Sequence, residues 1–249
     1  MSIETSGWLK EVIEYSLKRP VYRMYRSRRI HSLKESINML ESLNKIPIIA
    51  EYKTKSPSGL RVVRNLEDYI KFLELYVAGF SVLTEEKYFG GSYENLIKVA
   101  YMVDKPILMK DFIMSENQIE SAYNIGADAI LLIASILTDR ELEKLLETSR
   151  NFGLEAVVEV YTVEEAEKAL RLGAEIIGVN SRNLFNLKVD LDNALGVLCE
   201  IPENVVKIAE SGIKTANDIK ILKKCNANAF LIGTTLMLNP NSILELIKI

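Results

Sequence analysis

Residues 126–134 read Gly-Ala-Asp-Ala-Ile-Leu-Leu-Ile-Ala, and their order describes a change of secondary structure. A glycine suited to a left-handed helix stop leads at once into an apolar run with no polar alternation. The same join recurs as Gly173-Ala-Glu before IIGVN (176–180) and as Asn226-Ala-Asn before AFLIG (229–233). Each reads as a helix end feeding a strand covered on both faces, the mark of a parallel sheet. Outward from these three joins, comparable short runs lie at 48–51, 81–85, 107–111, 156–160 and 205–210. With 129–134, 176–180 and 229–233 they make eight, their starts 20 to 33 residues apart.

Amphipathic stretches fill the gaps, and their starts are legible. Thr138 with Glu141, and Thr162 with Glu165, have the spacing of a capping box, in which hydroxyl and carboxylate satisfy free backbone donors. Pro47 precedes the first run, where its missing N–H does least harm. Eight βα units predict a single (β/α)8 barrel in the α/β class spanning 1–249. An open doubly wound sheet is the other use of such units, but no Gly-x-Gly-x-x-Gly turn follows the first run. Residues 1–45 precede the first strand and carry helical patterns at 8–17 and 32–43, so they are expected to pack on the barrel as an N-terminal helical extension.

Composition agrees. The chain has 249 residues, 48% hydrophobic and 26% charged, with a formal net charge of -3. That excludes disorder, and a barrel of this kind needs about 250 residues. No apolar run approaches the roughly 18 residues of a membrane span, and the start lacks a signal-peptide core. Cys199 and Cys225 are too few for a disulfide framework and predict a reducing compartment. A soluble, cytoplasmic monomer is expected, with neither membrane nor nucleic acid as partner. Residues 18–34 carry seven Lys/Arg and no acid. They read as a solvated helix end and linker, because Tyr22 and Tyr25 form no base-stacking motif.

In such barrels the active site lies where the strands end. The predicted ends are Glu51-Tyr-Lys53, Glu85-Glu86, Lys110-Asp111, Glu159, Asn180-Ser-Arg182, Glu210-Ser-Gly212 and Gly233-Thr-Thr235, while the starts carry few charges. Ionisable groups near a core need partners, so this pattern predicts a polar site at the barrel mouth. Alternation puts Glu51 and Lys53 on one side. Lys110 is expected to point inward with Leu108, Asp111 remaining the alternative. An ammonium among carboxylates is an acid for a carbonyl oxygen; it could instead form a Schiff base. Ser211-Gly212 and Gly233-Thr234, after the last two strands, fit a phosphate cradle to which Lys53 could add charge. The loop 54–59 is either a lid or a plain connection. Phe89, Phe112, Leu131, Leu184 and Leu187 could wall an aromatic ring, with core packing as the ordinary alternative. His31 is the single histidine, and no ligand set for a metal is expected. A general base is therefore expected to be a carboxylate.

EYKTKSPSG (51–59) resembles the signature after the first strand of indole-3-glycerol phosphate synthases. LTEEKYFGGS (83–92), PILMKDF (106–112), VVEV (157–160), GVNSRNL (178–184), VVKIAESGI (205–213) and FLIGTTLM (230–237) follow in that family's order. The resemblance implies a lyase of tryptophan biosynthesis that needs no cofactor. Its substrate would be the small phosphorylated molecule 1-(2-carboxyphenylamino)-1-deoxyribulose 5-phosphate, and its products indole-3-glycerol phosphate, CO2 and water. It further implies Lys110 as general acid, Glu159 as general base or cation stabiliser, and Lys53 as an anion contact sharing in acid catalysis. Glu51, Asn180 and Glu210 would be orienting and hydroxyl-binding partners, and Arg182 with Ser56 would hold the substrate's carboxylate. Ser211, Gly212, Gly233 and Thr234 would cradle the phosphate. Trp8, Phe89, Phe112, Leu131, Leu184 and Leu187 would hold the ring. Two competitors stand beside it: another sugar-phosphate barrel enzyme, such as an isomerase or Schiff-base aldolase, and a non-catalytic barrel binding a phosphorylated metabolite.

Overall fold

A computed structural model describes residues 7–248. Eight parallel strands close on themselves in sequence order: β1 (Ile48–Tyr52), β2 (Gly79–Leu83), β3 (Ile107–Lys110), β4 (Ala129–Ile133), β5 (Glu155–Val160), β6 (Ile176–Asn180), β7 (Val206–Glu210) and β8 (Ala229–Ile232). Two helices come first, α1 (Gly7–Lys18) and α2 (Leu33–Ser42). The outer ring is α3 (Leu66–Leu73), α4 (Tyr93–Met102), α5 (Glu116–Ile125), α6 (Asp139–Asn151), α7 (Val163–Arg171), α8 (Leu191–Glu200), α9 (Ala216–Leu222), α10 (Thr234–Leu238) and α11 (Ile243–Leu246).

The apolar runs behave as their composition requires. All residues of β1, β2, β4, β7 and β8 are buried, and each fully covered Ile or Leu contributes about 1.5–3 kcal/mol. The joins also behave as expected: Gly126, Gly173 and Asn226 take positive φ of 97°, 82° and 58°. Thr138 and Glu141 form the complete capping box, whereas Thr162 forms only half of one. The Glu165 carboxylate there accepts from the Tyr161 amide instead. Thr215 and Asp218 form a second full box.

Three expectations fail. β2 lies two residues earlier than the predicted 81–85, which leaves Glu85-Glu86 in the following loop. There the buried Glu85 carboxylate accepts from the amides of Lys87, Tyr88 and Phe89 and shapes that loop. The basic tract is not a solvated linker. Arg26 and Arg28 are ion-paired with the fully buried Asp128, and Arg19 with Asp111. Residues between α1 and α2 thus form a strap along the barrel wall. The strand starts are also less neutral than expected. Asp128 accepts from the Ile107 amide at 2.9 Å. The buried Lys207 ammonium donates to the carbonyls of Leu198 and Cys225 at 3.1 and 3.2 Å.

The cysteine reading is corrected as well. Cys199 at the end of α8 and Cys225 before β8 are 26 residues apart in sequence, have Cα atoms 4.7 Å apart and are joined in a disulfide. Two thiols sufficed because the α8–β7–α9 unit folds back on itself, so cysteine count alone carries no argument about compartment.

Candidate active site

The C-terminal ends of the strands open into a cavity of about 870 Å³, room for one phosphorylated small molecule. Lys110, the last residue of β3, points inward as alternation predicts. Its ammonium is ion-paired with Glu210 and lies 3.5 Å from Glu159 Oε2 and 3.9 Å from Glu51 Oε2. Lys53 Nζ is 2.5 Å from Glu51 Oε1. The cluster therefore holds three carboxylates and two ammoniums.

That imbalance sets the protonation states. Burial opposes the Lys110 charge, but Glu210, Glu159 and Glu51 outweigh it and hold the ammonium above the ordinary lysine range. Burial would raise Glu51, yet Lys53 and Lys110 keep its carboxyl below the usual value. Glu210 is the odd charge out. Its side chain is wholly inaccessible, and burial together with the neighbouring carboxylates pushes it up to about 7 despite Lys110. Glu210 does not line the cavity; its carboxylate meets the Lys110 ammonium, which does.

The backbone makes room for these carboxylates. A methyl group at Gly178 on β6 would collide with Glu210 Oε1, and one at Gly233 with Glu51 Oε1. At the β7 end, Ser211 and Gly212 both take positive φ, 65° and 74°, which turns the chain across the cavity beside Gly233 and Thr234. Ser181, buried after β6, donates to the carbonyls of Glu210 and Ser211 and fixes that turn. Thr235 Oγ1 donates to the Ile213 carbonyl and ties the β8 turn to the β7 turn.

The opposite wall is aromatic. Trp8 of α1 lies 6.0 Å from Phe112 and 6.3 Å from Phe89, both edge-on, with Phe89 and Phe112 6.0 Å apart. Leu131, Leu184 and Leu187 complete this wall, Leu187 with φ 61°. Arg182 lies at the rim, its guanidinium donating to the Leu187 carbonyl at 2.7 Å. Asn180 Oδ1 accepts the Arg182 amide and so sets where that side chain departs. Ser56 is also at the rim, in a hairpin held to the loop after β2 by Thr54 and Lys55.

Every residue given a role by the resemblance except Glu210 lines this one cavity, whereas Glu85 and Glu86, read as strand ends, do not. Reading by residue type missed Leu83, Leu231, Ser181 and Gly178. Register supplies a signal for the first two, since Leu83 pairs with Lys110 and Leu231 with Glu210. No such signal marks Ser181 or Gly178, whose roles depend on a neighbouring strand.

A family model described as indole-3-glycerol phosphate synthase matches residues 5–248. An indole-3-glycerol phosphate synthase of Sulfurisphaera tokodaii is 55% identical over 242 residues, covering 97% of this chain and 98% of the relative. One of Aquifex aeolicus is 40% identical, covering 94% and 95%. Among solved structures, a thiamine phosphate pyrophosphorylase from Pyrococcus furiosus aligns with a TM-score of 0.60 at 17% identity, covering 81% of this chain and 93% of its own. That last likeness concerns the barrel fold alone.

Proposed function

The chain belongs to the indole-3-glycerol phosphate synthase family and is a lyase of tryptophan biosynthesis, and from that premise we propose which of its residues carry the reaction. The substrate is anchored at two ends. Its phosphate sits on the turns at Ser211-Gly212 and Gly233-Thr234, with Lys53 adding charge, and its anthranilate ring lies against Trp8, Phe89, Phe112 and the three leucines. Arg182 and Ser56 hold the ring carboxylate. Two anchors fix the ring carbon that bears the carboxylate beside the ketone carbon, converting ring closure into a positioned unimolecular step.

Lys110 is the general acid. As the ring carbon attacks the ketone, the carbonyl oxygen gains negative charge and takes a proton from the Lys110 ammonium. Loss of CO2 returns the bonding electrons to the ring. The new hydroxyl then departs as water, Lys110 or Lys53 supplying its proton, and Glu159 removes a proton from the adjacent carbon to complete the indole. Glu51 and Asn180 orient Lys53 and Arg182. Glu210, beneath Lys110, keeps the ammonium aimed upward and is its nearest source of a replacement proton.

One observation carries this reading: a lysine kept protonated by three carboxylates lies at the floor of the cavity, between the phosphate turns and the aromatic wall. A Schiff-base role would need that lysine neutral, so the cluster favours the acid. The test is a fluorescence assay for indole-3-glycerol phosphate with purified protein. Turnover in the wild type, nearly abolished in Lys110→Ala with binding retained, is expected. Near-normal turnover in the variant would remove Lys110 from this role, and a borohydride-trapped substrate adduct would restore the aldolase alternative.

We also read the protein as a cytoplasmic monomer without nucleic-acid partners. Arg19, Arg26, Arg28 and Lys34 are engaged by its own carboxylates, and no helix among the described residues is long and apolar enough to cross a membrane. The cytoplasmic assignment rests on the biosynthetic role, not on the cysteines.

A further inference from the structure

Asp111 follows Lys110 directly, and strand alternation turns it to the outside of the barrel. Its side chain is nevertheless wholly inaccessible. Oδ2 is ion-paired with Arg19 and accepts from the Thr84 hydroxyl, and Oδ1 accepts from the Phe112 amide at 2.8 Å. Arg19 also donates to the Thr84 carbonyl at 2.8 Å, and its guanidinium lies 4.5 Å from the Tyr93 ring centre. Thr84 in turn donates its amide to the Lys110 carbonyl at 3.1 Å. Arg19 is the first residue after α1, the helix that brings Trp8 to the cavity.

We propose that Arg19 and Asp111 are positioning residues for the reaction: their buried pair clamps the end of β3 from outside and joins it to the helix that carries Trp8. Lys110 is then held from both sides, by Glu210 inside the barrel and through Asp111 outside it. Phe112 takes its direction from the same carboxylate. Arg19 does not line the cavity, and Asp111 borders it with a side chain that is wholly inaccessible, so the effect of the pair comes through where Lys110 and Phe112 point. A misplacement of about 1 Å at a reacting group costs on the order of a hundredfold in rate. A buried carboxylate with three donors is a stiff enough anchor to prevent one. The phosphate turns lie on β7 and β8, on the far side of the barrel, and are outside the clamp's reach.

The proposal rests on the Lys110 reading, so Lys110→Ala is made beside Asp111→Asn, Arg19→Lys and the double variant Arg19→Gln/Asp111→Asn. Steady-state kinetics, inhibition by inorganic phosphate and circular dichroism are measured on each, at a temperature where all are folded. Asp111→Asn is expected to lose at least tenfold in kcat with KM within threefold and phosphate inhibition within twofold. Arg19→Lys, which keeps the charge but cannot span Asp111 and the Thr84 carbonyl together, should lose less than Asp111→Asn. The double variant should be no slower than Asp111→Asn alone, because both residues act through one contact. Wild-type kcat in Asp111→Asn would overturn the proposal, as would losses that add in the double variant or that weaken phosphate inhibition in step. If Lys110→Ala were also near wild type, the Lys110 reading itself would fall. A dead Lys110→Ala beside an intact Asp111→Asn would overturn the clamp alone.

Discussion

Lys110→Met keeps most of the methylene volume of the side chain and deletes its charge. Two effects follow, and they separate by pH. Loss of the acid removes proton transfer to the ketone oxygen and the positive charge beside it, together about a thousandfold in kcat at any pH. The second effect is on stability. Three buried carboxylates would face only Lys53, so Glu210, already up to about 7 beside Lys110, should rise further. A carboxyl raised in the folded state above its unfolded value of 4.5 favours folding below that value, and its contribution falls as pH rises through the folded pKa. In the wild type that loss is complete near pH 7; in Lys110→Met it continues upward. Each further unit costs about 1.4 kcal/mol, which for 249 residues is about 3 °C in Tm. Melting curves at pH 5.5, 7.0 and 8.0 should therefore diverge, the variant's deficit growing by about 3 °C between the last two. A deficit independent of pH would refute the claim that Lys110 holds the Glu210 carboxyl down, and kcat within tenfold of wild type would refute the acid.

Arg182→Ala should raise KM at least tenfold for the carboxylated substrate while leaving binding of a decarboxylated substrate analogue nearly unchanged; equal losses would remove Arg182 from the carboxylate. Gly178→Ala should drive the Glu210 carboxylate from its pocket, lowering kcat at least tenfold with the helical content intact, and wild-type kinetics would mean the carboxylate has other room. Glu210→Gln should delete an ionisation near pH 7 from the profile of kcat/KM, and a retained ionisation there would assign it to another group. Reduction of the Cys199–Cys225 disulfide, or Cys199→Ser/Cys225→Ser, should cost about 3.5 kcal/mol from the loop of 26 residues it closes. Calorimetry should show Tm several degrees lower, and an unchanged Tm would mean the bond adds nothing.

What was legible in the sequence was what depends on near neighbours. Apolar runs, helix stops at Gly126 and Gly173 and the cap at Thr138 are all local, while alternation within β3 narrowed the inward residue to Lys110 or Asp111 and the structure chose Lys110. Together these fixed the barrel, and with it the position of every strand end. The misplacement of β2 shows the limit. SVLTE is as apolar and β-branched as a strand, but Glu85 finds three loop amides, and those bonds end the ladder at Leu83. Arg19, Arg26 and Arg28 resemble a solvated tract because their acids lie 92 to 102 residues away. Ser181 and the disulfide fail at shorter range, their partners lying 26 to 30 residues on, in the neighbouring strand or within the α8–β7–α9 unit.

The strap between α1 and α2 also bears on how the chain is made. Its anchors, Asp111 and Asp128, come roughly a hundred residues after the arginines that bind them. During synthesis, at about 5–20 residues per second, Trp8 lacks the rings it packs on until Phe89 and Phe112 have been made, and Arg19 lacks its partner until Asp111. Contacts of such sequence separation are slow to form because loop closure precedes any gain from them. The tryptophan of the aromatic wall is thus encoded first but takes its place only after the chain has reached the end of β3. Trp8 is the single tryptophan of the chain, so its emission during refolding is a clock for that docking step.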